Sequence, residues 1–130
     1  MKKIKIMEMV SGPEKRLLPE MYTRLGKSYF HRKKVNEAIE TYTKAIEKYL
    51  QASFYRSDSS ALNLYHLGKA YLSKEDDERS LKSFEDAHQI FLDIESKNVV
   101  AISKNLNAIG KIHLMAGKIE IAEDHFFRAL

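Results

Sequence analysis

The chain has 130 residues, of which 44% are hydrophobic and 31% charged, a composition that excludes a largely disordered protein. It contains no cysteine, which excludes disulfides, thiolate metal sites and a cysteine nucleophile. The net charge of +4 is mild for a dedicated nucleic-acid-binding protein. No apolar stretch approaches the ~18 residues that a membrane-spanning helix needs.

Residues 1–18 form an N-terminal segment. Its apolar residues Ile4, Ile6, Met7, Met9 and Val10 are followed by Ser11-Gly12-Pro13, which is typical of a turn. The segment is interpreted either as the tail of a preceding helix or as a loose N-terminus. It lacks the long apolar core and the small-residue cleavage site of a signal peptide, and we predict a cytoplasmic protein.

An internal repeat begins after this segment. A six-residue pattern recurs three times, at Leu25–Phe30, Leu67–Leu72 and Ile109–Leu114. Its glycines are Gly26, Gly68 and Gly110, so that the period is 42 residues. Flanking positions keep the same period, namely Tyr22, Leu64 and Leu106, then Tyr42, Phe84 and Phe126, then Ala45, Ala87 and Ala129. This agreement predicts three copies of one structural unit.

Each unit is predicted to contain two helices. In the second unit, Leu64, Leu67, Gly68 and Tyr71 form one apolar helical stripe, and a second stripe begins at Leu81. The polar run at residues 73–77 separates the two stripes, and its acidic side chains favour the N-terminus of the following helix. In the third unit, Gly117 is predicted to supply this turn.

The glycine within each first helix also needs an explanation, because glycine inside a helix costs about 1 kcal/mol relative to alanine. Its recurrence at one position predicts that a partner helix approaches closely there. Each glycine stands alone in an apolar stripe, unlike the clustered glycines of a phosphate-binding loop.

The pattern within each unit resembles the tetratricopeptide repeat, and the resemblance covers Pro19–Leu130. The pattern is Tyr or Leu, then Leu-Gly, then Tyr, and finally Ala, an aromatic residue and Ala. The resemblance implies an all-α fold, an α-solenoid of three stacked antiparallel helix hairpins. The units are expected at residues 19–60, 61–102 and 103–130, with the third truncated. The array departs from the family in its longer period, in His113 at the tyrosine position, and in Leu50 and Leu92 where a proline is expected.

The resemblance also implies a binding surface, because the first helix of each tetratricopeptide hairpin lines the concave face of the superhelix. The expected ligand is a protein or peptide, and three lysines at one repeat position favour acidic groups in it. The lysine–asparagine carboxylate clamp of some family members does not carry over. The predicted site residues are Thr23, Lys27, Phe30, Leu62, Tyr65, Lys69, Leu72, Lys104, Asn107, Lys111 and Leu114.

Catalysis, cofactor binding and metal binding are not predicted. The five histidines do not pair at helical spacing, and the acidic run Glu75–Glu78 lacks the spacing of a calcium loop. The basic run His31–Lys34 is interpreted as a solvated turn. No nucleic-acid or membrane partner is expected.

Two alternatives to a simple binding module stay open. The long units look like those of bacterial peptide-pheromone sensors, so that the chain would be the sensory segment of a signalling protein. Alternatively, uncovered repeat ends would permit a homo-oligomer or a self-assembling array, because no polar capping helix follows the third unit.

Overall fold

The computed structural model describes residues 14–129, except for the side chains of residues 14–17, 122, 126 and 129. The described part is helical, and its helices are α1 Glu14–His31, α2 Val35–Gln51, α3 Asp58–Ser73, α4 Asp77–Asp93 and α5 Val99–Ala129. α1 pairs with α2 and α3 pairs with α4, while α2 contacts α3 and α4 contacts α5. This order of contacts confirms the predicted all-α solenoid of stacked hairpins. Residues 14–18 of the predicted N-terminal segment belong to α1, and residues 1–13 lie outside the described part.

The turns repeat with the same period as the sequence. In each turn a residue with positive φ ends the helix, and the next backbone N–H bonds to a carbonyl five residues earlier, at 2.8–3.0 Å. The positive-φ residues are Lys33 and Glu75 within the hairpins, and Ser53 and Glu95 between them. The Asp76 carboxylate accepts from the backbone N–H of Arg79 at 3.1 Å. The prediction that the acidic run starts the next helix is therefore confirmed for Asp76.

The glycine prediction is confirmed in the first two units. A Cβ on Gly26 would lie 2.6 Å from the Tyr42 ring, and a Cβ on Gly68 would lie 2.6 Å from the Phe84 ring. Both rings are almost completely buried. The glycines thus let the two helices of each hairpin approach until an aromatic ring lies directly against the partner backbone.

The hairpins are joined by a periodic asparagine that the sequence reasoning missed. The side-chain N–H of Asn63 donates to the Tyr42 carbonyl at 3.0 Å, and Asn105, one period later, donates to the Phe84 carbonyl at 2.8 Å. Both asparagines are fully buried. Each therefore fixes the first helix of one unit against the second helix of the preceding unit.

The turn predicted at Gly117 is wrong. Gly117 is in register with Lys33 and Glu75, but the structure has a single 31-residue helix there. A lone glycine weakens a helix by about 1 kcal/mol without ending it, and the neighbouring Ala116 and Lys118 favour helix. Lys118 also stands where Asp76 caps α4, and a lysine side chain has no acceptor for a helix N-terminus.

The close approach predicted at Gly110 is also wrong, because no neighbouring atom of the described residues lies within 4 Å of a Cβ built there. Leu106 is 45% exposed, whereas its register mate Leu64 is 3% exposed. The side chains of Ala122, Phe126 and Ala129, on which the predicted register of the third unit also rests, lie outside the described residues.

Candidate functional site

The predicted binding residues lie on α1, α3 and the N-terminal half of α5. Lys27 on α1 and Lys69 on α3, one repeat period apart, line the same pocket of about 130 Å³. We call it the His66 pocket, and its lining residues are Lys27, Phe30, His31, Tyr42, His66 and Lys69. No acidic residue is among them, so that the pocket carries positive charge only.

His66 lines this pocket and makes several contacts within the protein. Its ring stacks on Tyr42, with ring centroids 6.1 Å apart and an interplanar angle of 17°, and meets Tyr65 edge to face at 5.5 Å. Burial lowers the pKa of His66 to about 4, with smaller contributions in the same direction from the nearby Lys27, Lys69 and Lys104 and from His31. The imidazole is therefore neutral at pH 7 and surrounded by cationic groups.

A second pocket of about 180 Å³ adjoins the first and shares Lys27 and His66 with it. We call it the Tyr49 pocket. Its wall contains the Ser59 hydroxyl, which donates to the Glu20 carboxylate at 3.2 Å. Its lining residues are Glu20, Thr23, Arg24, Lys27, Tyr49, Ser59, Leu62 and His66.

Thr23, which was predicted to contact a ligand, has a role in the fold. Its hydroxyl donates to the side-chain oxygen of Asn63 at 2.7 Å, across the junction between α1 and α3. Tyr65 is likewise engaged within the protein, since its ring contacts Phe84 at 5.7 Å and Lys69 Nζ lies 5.6 Å from its centroid. The latter contact holds the Lys69 ammonium beside an aromatic face.

The structure brings only part of the predicted set together. Lys27, Phe30 and Lys69 meet at the His66 pocket, while Thr23 and Leu62 line the Tyr49 pocket. The other predicted residues line neither of these two pockets, and they are Tyr65, Leu72, Lys104, Asn107, Lys111 and Leu114. Of these, Lys104 still contributes to the positive potential at His66.

His66, His31 and Tyr42 are pocket residues that the sequence reasoning missed. His66 lies four residues after Leu62 and three before Lys69, so that helical spacing alone places it on the predicted face. The spacing of the histidines argues against a metal site, and His66 does not belong to the repeat pattern. Tyr42 belongs to the recurring set Tyr42, Phe84 and Phe126, and its ring is buried and also lines the pocket.

A larger concavity of about 460 Å³ lies near the hairpin turns, between α2 and the α3–α4 turn. It carries both signs of charge, since Glu40 and Asp76 face Lys74 and Arg79 there. Lys74 also hydrogen-bonds to Asn36 across it. Mixed charge gives no preference for one ligand sign, and the His66 pocket is therefore the better candidate site.

Residues 14–129 contain neither a metal-ligand cluster nor a membrane-spanning helix. No cluster of three or more histidine, aspartate or glutamate side chains suited to a metal ion occurs in this part of the chain. None of its helices combines the length and the apolar character needed to cross a bilayer.

Comparison with known proteins identifies one family. The sequence profile of the tetratricopeptide repeat matches residues 17–93, which is more than half of the 130-residue chain and includes both hairpins. Searches of curated proteins and of solved structures returned no match.

Proposed function

We propose that this chain, which belongs to the tetratricopeptide repeat family, binds a peptide segment bearing acidic side chains on the face formed by α1, α3 and the N-terminal half of α5. Tetratricopeptide repeats generally mediate interactions between proteins. The observation that carries the proposal is the His66 pocket, in which Lys27 and Lys69 of successive units lie around one concavity without a carboxylate.

The surface supplies both kinds of contact that peptide recognition needs. Phe30 and Leu62 are half-buried and offer apolar area beside the pockets. Lys27 and Lys69 are exposed and offer positive charge. Apolar contacts would provide most of the binding free energy, while the charges would set orientation and association rate.

The proposal is tested by selecting binders from a displayed library of random peptides and measuring their dissociation constants by fluorescence anisotropy. We expect the selected peptides to be rich in Asp and Glu and to bind more weakly as salt increases. The double variant Lys27→Glu/Lys69→Glu should bind them about tenfold more weakly or worse, through lost attraction and new repulsion.

The matched control is Lys44→Glu/Lys97→Glu, which makes the same change in net charge at exposed positions outside both pockets. Circular dichroism should show both variants folded. If the control lost as much affinity as the pocket variant, recognition would depend on net charge alone. If selected peptides bound the pocket variant as tightly as the wild type, the proposed site would be wrong.

Self-association is a second candidate function, favoured by the exposed apolar side chains of α5. Leu114, Met115, Ile119 and Ile121 are each 54–60% exposed, and apolar clusters of this kind are typical of interaction surfaces. Sedimentation equilibrium tests it. A mass that rises above 15.1 kDa with concentration would support association, and a constant 15.1 kDa would exclude it over the range measured.

A further inference from the structure

The His66 pocket has a feature that simple attraction of acidic groups does not require, namely an uncharged imidazole in its lining. His66 lines both pockets and is half-buried, so that a ligand can reach it. Lysines alone would attract a carboxylate. A histidine held neutral by its surroundings adds a group whose charge can change when the ligand arrives.

Charged and titratable groups approach His66 from four helices. α1 provides Lys27 and His31, and also Arg24 in the Tyr49 pocket that His66 shares. α3 provides Lys69 and the Tyr65 ring, and α5 provides Lys104. Tyr42 on α2 stacks on the ring, and burial raises the pKa of this tyrosine to about 12, so that it stays uncharged. Glu20 is the one acidic residue of the adjoining Tyr49 pocket. The surroundings of the imidazole are therefore predominantly cationic or neutral.

A carboxylate placed in the pocket would reverse this balance. An opposite charge within ~4–6 Å of a titratable group favours its charged form by about 1–3 pKa units. The incoming carboxylate would also partly offset the repulsion from Lys27 and Lys69. Both effects favour an imidazolium that donates a charge-assisted hydrogen bond to the ligand.

We infer that the His66 pocket takes one carboxylate group of the bound peptide and that His66 gains a proton from solvent when it does so. This inference rests on the proposed function and adds the chemistry of one subsite and its regulation by pH. We infer a carboxylate rather than a phosphate because no arginine and no helix N-terminus lines the pocket, so that it lacks the bidentate and backbone N–H contacts that favour phosphate, and its two lysines act as point charges only.

The consequence is an affinity that depends on pH. A bound carboxylate that raises the His66 pKa by two units from about 4 would tighten binding about tenfold between pH 7.5 and pH 5. The sign follows from proton uptake, because binding that takes up a proton is favoured by acid. An aspartate or glutamate ligand stays mostly ionised at pH 5.

Nuclear magnetic resonance tests the inference directly, by following the imidazole C–H signals of His66 through a pH titration and assigning them with His66→Gln. The probe is the α-amide of N-acetylglutamic acid, and the matched neutral probe is the α-amide of N-acetylglutamine, both at constant ionic strength. N-Acetylalanine tests a C-terminal carboxylate in place of a side-chain carboxylate, and inorganic phosphate tests the other anion class.

We expect the glutamate probe to raise the His66 titration midpoint by one unit or more, the glutamine probe to leave it unchanged, and the exposed His125 to respond to neither. A larger shift with N-acetylalanine would assign the pocket to a C-terminal carboxylate. An unchanged midpoint with every carboxylate would overturn the inference, as would a shift obtained with phosphate at lower concentration than with either carboxylate.

The outcome is independent of the test of the proposed function. Selected peptides whose affinity depends on Lys27 and Lys69 but not on pH would uphold the binding face and refute proton uptake. If His66 takes up the proton, the variant His66→Gln should lack the roughly tenfold tightening of peptide binding between pH 7.5 and pH 5 that the wild type shows. If wild type and variant had parallel pH profiles, His66 would not be the group that titrates.

Discussion

The substitution of alanine for glycine at one repeat position is expected to have opposite effects in two units. At Gly68 a Cβ would lie 2.6 Å from Cε1 and 2.7 Å from Cδ1 of Phe84. Phe84 is fully buried and cannot move away freely. Overpacking of this kind typically costs about 1–3 kcal/mol, and the gain in helix propensity returns about 1 kcal/mol.

At Gly110 the same methyl group meets no neighbouring atom within 4 Å in the part of the chain that the structure describes. Only the propensity term then acts, and Gly110→Ala should stabilise the protein by up to about 1 kcal/mol. Gly68→Ala should destabilise it by up to about 2 kcal/mol net. The two variants carry the same chemical change at equivalent sequence positions, so that each serves as the control for the other.

Urea unfolding followed by far-UV circular dichroism measures both effects through the shift in transition midpoint. A loss of stability in Gly110→Ala would refute the reasoning, because it would require an aromatic ring against Gly110, as in the first two units. If Gly110→Ala did lose stability, Gly117→Ala would show whether α5 is continuous or turns at residue 117. Alanine stabilises a continuous α5, whereas it would destabilise a turn that needs positive φ at this position.

Two further predictions concern stability. In the absence of ligand, the pKa of His66 is 6.5 in the unfolded chain and about 4 in the folded protein. The unfolded chain therefore binds the proton more readily, and the stability of the fold falls as the pH drops from above 6.5 towards 4. In urea unfolding, the free energy of unfolding of the wild type should therefore fall by about 2 kcal/mol more than that of His66→Gln between pH 7.5 and pH 5. Equal losses in the two proteins would contradict the burial of a neutral imidazole. Asn63→Ala removes the hydrogen bonds to the Tyr42 carbonyl and from Thr23, and should lower the free energy of unfolding by about 1–3 kcal/mol. A midpoint unchanged from the wild type would show that the buried asparagine does not stabilise the junction.

The sequence allowed the fold to be predicted where packing repeats. The contact of Tyr42 with Gly26 is repeated by Phe84 and Gly68. A contact that is repeated in successive units requires similar residues at a fixed spacing, and this spacing is visible in the sequence. Asn63 and Asn105 recur at the same spacing, but two copies of one polar residue are less conspicuous than three copies of a glycine pattern. Their role became clear only from the carbonyls that they reach across the junction.

In the third unit, periodicity alone is not sufficient to predict a turn between two helices. Gly117 has the register of a turn residue, but register alone does not end a helix. Lys118 gives the following segment no cap, whereas Asp76 caps α4 at the equivalent place. In the first unit, Lys34 also gives no side-chain cap, and there the Tyr42 ring against Gly26 holds the hairpin closed. A turn in this array thus needs the packing of the helix that follows it.

The candidate site was predicted less well, because its chemistry lies in departures from the period. His66 stands where the other units have Arg24 and Ala108, and His31 stands where they have Ser73 and Met115. Recurrence at the repeat period therefore predicts the lysines but not the histidines that lie between them in the sequence. The recurring positions build the solenoid in every unit, and a solenoid surface is nearly the same from one unit to the next. A ligand can be held at one place along it only by residues that do not repeat, and His66 is such a residue at the junction of the first two units.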